Sequence, residues 1–232
     1  MCCRIGLIFL LWVVLTLDQT KADETWKRPL AEKAETIEQG IQKRHNILGL
    51  YPSMVEIPRD SDTIDITTTN PFADVQHAVC WTANYLAGLS YRYAYLRKSN
   101  SNPEKIEEAK VRADQVFESI YRCQLVTGVR GLQARGYFLG RGESYAERRG
   151  SDKIPYWRQG EIDGQSFRWV GDPSHHNYSD TIHGLGQYYT LAAEGSQKER
   201  ARQAIGALVS YWVDNDLKIA KYDKSLPMVP VL

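Results

Sequence analysis

Residues 71–98, PFADVQHAVCWTANYLAGLSYRYAYLRK, carry apolar or small side chains on nearly every face of a helix. Asn70 can cap such a helix, and Pro71 falls where a first helical residue has no internal N–H bond to lose. Arg97 and Lys98 occupy the last turn, where the helix dipole favours cations. A helix that is apolar all round is buried on more than one side. The pattern therefore predicts an inner helix over 71–98.

The start signal recurs as Asn102-Pro103-Glu104. Over 104–127 the apolar positions Ile106, Ala109, Ala113, Val116, Phe117, Ile120 and Tyr121 form one helical stripe with charge opposite, and Gly128 ends it. An outer, one-sided helix thus follows the inner one as an αα-hairpin. A second hairpin closes the chain. Asn177 or Ser179 caps an inner helix over 180–194, and the capping-box run Ser196-Gln197-Lys198-Glu199 opens an outer helix with the stripe Ala201, Ala204, Ile205, Leu208, Val209 and Trp212. Between the hairpins, 129–178 reads as a long irregular region whose aromatic residues argue against disorder. Ahead of the first hairpin, 30–45 reads as an amphipathic surface helix, and 46–70 as a loop ending in the β-prone TIDITTTN. The predicted fold class is all-α, built from helical hairpins with an aromatic-rich loop between them.

Residues 1–22 combine a short positive start, the 13-residue apolar run IGLIFLLWVVLTL and a small-residue cleavage site ending at Ala22. That layout predicts a secretory signal peptide, a secreted or periplasmic location, and no stable membrane span once the signal is removed; a retained anchor is the rival reading. About 210 residues remain at 23–232, enough for one domain with a substantial core. A net charge of +1 offers no basic stripe for nucleic acid. Fourteen tyrosines and six tryptophans, many beside arginine, fit either sugar-gripping faces or an ordinary core. Cys2 and Cys3 leave with the signal. Export makes a disulfide between Cys80 and Cys123 a candidate, and two free buried thiols are the alternative.

The two inner segments start alike, with Ala-Asp-Val-Gln-His-Ala at 73–78 and Ser-Asp-Thr-Ile-His-Gly at 179–184. Residues three apart share a helical face, so Asp74 with His77, and Asp180 with His183, each set a carboxylate beside an imidazole. If the hairpins pack as parallel neighbours, both faces point from one end toward a shared interior. The structural alternatives are that Asp180 offsets the helix dipole and that both histidines are satisfied core residues. Asp172, His175, His176 and Asp180 have metal-ligating chemistry. Adjacent histidines do not readily chelate one ion, however, and no H-E-x-x-H occurs, so neither a metal nor a cofactor is expected. There is no G-x-S-x-G, Walker loop or G-x-G-x-x-G in strand-to-helix context, and Cys80 sits in an apolar setting poor for a nucleophile.

The hairpin order, VTGVRGLQARGYF (126–138) and RWVGDPSHHNYSDTIHGLGQYY (168–189) resemble bacterial exported proteins of the six-hairpin (α/α) toroid type. That superfamily includes glycoside hydrolases and unsaturated glucuronyl hydrolases. The resemblance implies a partial toroid with a funnel lined by inner-helix starts, where aromatic residues hold sugar and carboxylates act as acid and base. It places Asp74, His77, Trp81, Arg135, Tyr137, Trp169, His175 and Tyr178 in substrate binding. Catalysis falls to Asp172 and Asp180 as the acid/base pair, with His176 and His183 beside them. An oligosaccharide or polysaccharide is the implied substrate. A histidine or tyrosine base with arginine on the sugar carboxylate would suit a uronate lyase or epimerase instead. A non-catalytic exported module that binds glycan or protein is the third reading. A full toroid needs roughly twice this length, so a missing C-terminal half or an oligomer is also expected.

Overall fold

The computed structural model of the chain describes residues 28–66, 70–139 and 157–219. The predicted signal peptide (1–22), part of the β-prone run (67–69) and residues 140–156 of the long inter-hairpin region lie outside the described residues. The chain divides into two compact units, Met1–Gly40 and Ile41–Leu232. Helix α1, Leu30–His45, begins in the first and ends in the second, and none of its residues is buried. The second unit contains α2 (Ala78–Lys98), α3 (Pro103–Leu125), β1 (Gly136–Leu139), β2 (Trp157–Ile162), β3 (Gln165–Val170), α4 (His175–Leu191) and α5 (Gly195–Asp214). No helix of the described residues is long and apolar enough to cross a membrane.

Two αα-hairpins, α2–α3 and α4–α5, lie side by side. Contacts along α2 and α4 climb together: Asn177 meets Cys80, Gly184 meets Ala83, and Glu194, just past the end of α4, meets Tyr93 and Arg97. The inner helices therefore run parallel. They approach so closely that a methyl on Gly184 would lie 2.3 Å from the Ala83 carbonyl oxygen. Only glycine permits that crossing. The outer helices also run in one direction, with Arg200 bidentate on Glu118 and Ala207 against Gly131 beyond the end of α3. Between the layers, Phe117 and Tyr188 are fully buried and stack at 4.8 Å. Burying a side chain of this size contributes about 1.5–3 kcal/mol.

The class is not all-α. Part of the region expected to be irregular forms a three-stranded antiparallel sheet in the order β1-β3-β2. The β2–β3 connection is two residues long, with Ile162 paired to Gln165. Its residues, Asp163 (φ 52°) and Gly164 (φ 77°), are both left-handed. Asp-Gly with two positive φ angles is a type I′ turn, whose twist matches that of a hairpin. The central strand β3 buries Phe167, Trp169 and Val170. The sheet also fastens the helices. The Val79 N–H, free at the start of α2, donates to the Arg135 carbonyl, and the Arg135 N–H donates to Val170 of β3, both at 2.9 Å.

Both inner helices start elsewhere than predicted. α2 begins at Ala78 rather than Pro71, because 71–77 is held in other bonds. Asn70 Oδ1 accepts from the Phe72 N–H at 3.2 Å, Asp74 Oδ1 accepts from the Gln76 N–H at 3.0 Å, and Phe72 bridges to Val55. Such side-chain-to-backbone bonds compete directly with a helical ladder. α4 starts earlier than predicted, at His175. Ser174 is the extended residue before it, and Asn177 Oδ1 accepts the Ser174 N–H at 2.8 Å and its hydroxyl at 3.0 Å.

Candidate functional site

These two starts meet at one cleft. Asp74 and His77 reach it from the turn ahead of α2. Cys80, Trp81 and Asn84 come from the first two turns of α2, His176 and Asp180 from α4, and Ser53 from the preceding loop; together they enclose about 280 Å³. The spacings 80 to 84 and 81 to 84 keep the α2 contributors on one helical face. A second groove of about 330 Å³ shares Ser53, Trp81 and Asn84 and continues along Ile41, His45, Tyr51, Pro52 and Tyr85. One half of the combined surface is thus acidic and imidazole-bearing, and the other is aromatic. Trp81, 51 % exposed, stands on the seam. Tyr51 and Tyr85 pack at 4.6 Å, and Gln42 ties their hydroxyls, accepting from Tyr51 at 2.9 Å and donating to Tyr85 at 2.7 Å.

A buried amide joins the two walls. Asn177, fully buried, donates from Nδ2 to the Gln76 carbonyl and to Cys80 Sγ, each at 3.2 Å. Arg135 supports the same segment from below. Its Nε donates to the Asp172 carbonyl at 2.8 Å, and its Nη1 to the Gln76 carbonyl at 3.3 Å and to Gln76 Oε1 at 3.2 Å. Burial lowers its pKa from the usual guanidinium value, against the pull of Cys80, Asp172 and Asp74. The Cys80 thiol is pushed up to about 12 by burial and then by the neighbouring Asp180 carboxylate. It is therefore a protonated donor at neutral pH and a poor nucleophile.

The predicted residues divide into three groups. Asp74, His77, Trp81, His176 and Asp180 share the cleft. Asp74 and His77 form the expected pair, with Oδ2 and Nδ1 3.4 Å apart. The second pair is different: His183 is exposed and not among the cleft residues, while Asp180 lies in the second turn of α4 and turns to Cys80. Asp180 is thus too deep in the helix to serve as its first-turn dipole partner. Asp172 also lies off the cleft. It adopts φ 54° just before α4, and its carboxylate faces Arg158 at 3.9 Å. His175 is exposed and packs on His176 with ring centroids 3.8 Å apart.

Three aromatic residues assigned to sugar binding are core residues instead. Tyr137, Trp169 and Tyr178 are at most 1 % exposed. Each spends its polar atom internally: Tyr137 donates to Leu48 at 3.1 Å, Trp169 to Gln159 at 3.1 Å and Tyr178 to Gly131 at 2.8 Å. Burial drives both tyrosine hydroxyls far above their usual pKa. Cys80 and Cys123 are both free and buried, so the candidate disulfide is not formed. Among the described residues, no group of three or more His, Cys, Asp or Glu is arranged to hold a metal ion.

Ser53, Asn84 and the Tyr51–Tyr85 pair join the site without having been expected there, and Asn177 was expected only as a helix cap. Asn84 was within reach, because it lies three residues after Trp81 on the same face. Ser174-x-x-Asn177 was a legible capping pattern. Nothing local marks Ser53 or Tyr51, which arrive from a loop. Compared with family models, curated proteins and solved structures, the chain matches none. The functional reading therefore rests on the cleft itself.

Proposed function

We propose that this is an exported carbohydrate-active protein whose cleft hydrolyses a glycosidic bond in an oligosaccharide or polysaccharide, with Asp74 and Asp180 as the carboxyl pair. One observation carries the reading. Two carboxylates from separate helix starts line one cavity beside an exposed tryptophan. Glycoside hydrolysis commonly needs two carboxyl groups flanking the scissile bond, one donating a proton and one acting as base or nucleophile. Trp81 supplies a flat apolar face for a pyranose ring. His176 and His77 can orient hydroxyls or relay a proton. Asp74 replaces Asp172 in the proposed pair because Asp74, not Asp172, shares the cavity with Asp180.

Elimination from a uronate is less well supported. That chemistry calls for a cation at the sugar carboxylate. Among the described residues no Lys or Arg lines the cleft, and Arg135 directs Nε and Nη1 into the protein. The test is turnover of an oligosaccharide panel by the mature chain beginning at Asp23, with Asp74→Asn and Asp180→Asn as variants. Loss of turnover in both supports the pair. The variant lacking the proton donor should still cleave a glycoside whose leaving group needs no proton, and the other should not. Turnover undisturbed by either change would sink the assignment, and binding without turnover would make the protein a lectin-like module.

A further inference from the structure

We infer that the oligosaccharide taken by this cleft carries a protonated amine, as an amino sugar with a free ammonium group does, rather than a uronate or an all-neutral chain. The inference rests on the carbohydrate reading above and narrows it by charge. Asp74 and Asp180 bring two carboxylates to a cavity that no Lys or Arg of the described residues lines. The nearest buried cation, Arg135, supports the floor through Gln76 and Asp172 instead of facing the ligand. An ammonium between the two aspartates would make charge-assisted hydrogen bonds to acceptors that neutral sugar hydroxyls engage more weakly. A uronate would set like charges against each other.

The aromatic seam adds a second, independent attraction. Trp81 exposes half its surface at the border between the acidic cavity and the aromatic groove. An indole face attracts cations more strongly than the other aromatic side chains do. Tyr85 lies one turn further along α2, beside Tyr51. An extended chain of amino sugars could thus stack its ring faces along the aromatic groove and place one ammonium by the carboxylates. A neutral or anionic chain satisfies only the stacking half.

The test compares three oligosaccharides of equal length on the full mature chain at about pH 6, where glucosamine amines are mostly protonated and aspartates ionised: a glucosamine oligomer, its fully N-acetylated counterpart and a uronate oligomer. Binding is read by calorimetry at two salt concentrations. The glucosamine oligomer should bind about tenfold or more tightly than the acetylated one, a difference of one good charged contact. Added salt should shrink that preference. Asp180→Asn and Asp74→Asn should each reduce the ratio of the two affinities, with an unchanged Tm showing that each variant is folded. Trp81→Ala should weaken both neutral and charged oligomers. Equal or tighter binding of the acetylated or uronate oligomer overturns the inference and leaves the carbohydrate reading standing. Failure of all three to bind overturns both.

Discussion

Asp74-x-x-His77 before α2 and Asp180-x-x-His183 within α4 share one spacing, yet only the first closes on itself. His77 Nδ1 lies 3.4 Å from Asp74 Oδ2, whereas His183 is exposed and Asp180 faces Cys80. The difference is one of helical phase. Asp74 is held in a turn that bends its carboxylate back toward the chain, so the pair forms ahead of the helix. Asp180 sits in a regular helix whose flank meets α2, and three residues further on the helix has carried His183 off the cleft. A repeated spacing therefore has structural meaning only once the start of each helix is known.

The largest effect that sharpens this comparison is at Asp180. Asp180→Asn should lower turnover by about 10²–10⁴-fold, the usual contribution of a positioned acid or base. A change under tenfold would place the chemistry elsewhere. Next comes the crossing that brings the two starts together. Gly184→Ala places a methyl against the Ala83 carbonyl and should cost about 1–3 kcal/mol, a fall in Tm of about 3–10 °C. Gly186→Ala, where nothing lies within 4 Å, should leave Tm unchanged or raise it, since alanine favours a helix by up to about 1 kcal/mol. If the two glycine variants melted alike, the close crossing would not be the constraint.

Smaller effects follow. Asn177→Ala leaves Cys80 and the Gln76 carbonyl without their amide donor and should cost about 1–3 kcal/mol in urea unfolding. Alkali should destabilise the same region, because a buried Cys80 thiolate beside the Asp180 carboxylate is unfavourable. Cys80 titrates near 12 in the folded chain against an ordinary 9.0, so the folded state keeps a proton that the unfolded state loses. The stability from this group is complete below pH 9 and declines as pH rises from 9 toward 12. Buried Cys123 shifts in the same direction. Stability measured against pH should fall across that window, and less steeply in Cys80→Ala. The smallest effect belongs to His183→Ala, which should alter turnover less than about twofold and stability by under about 0.5 kcal/mol. A large loss there would erase the distinction between the two pairs.

Both hairpins were legible because one-sided and all-round apolar patterns differ in the sequence itself. Ala109, Ala113, Val116, Phe117 and Ile120 are buried as their stripe requires, and Asn102 caps α3 through the Glu104 N–H at 2.8 Å. The sheet escaped because its strands are only four to six residues long, too short for alternation to stand out. The Asp163-Gly164 turn was the available clue. For the site, residue type was readable and direction was not. Tyr137, Trp169 and Tyr178 suit a sugar platform and a core equally well, and packing decided for the core. Asp172 was misplaced because a left-handed residue ahead of a helix redirects its side chain in a way that no local pattern records.

The Asn177 amide and the side-chain-free crossing at Gly184 together fix how far apart the carboxylate-bearing walls stand. A jaw whose two halves are fused behind the teeth cannot widen for a bulkier guest. The spacing between Asp74 and Asp180 is set when the chain folds, before any ligand arrives.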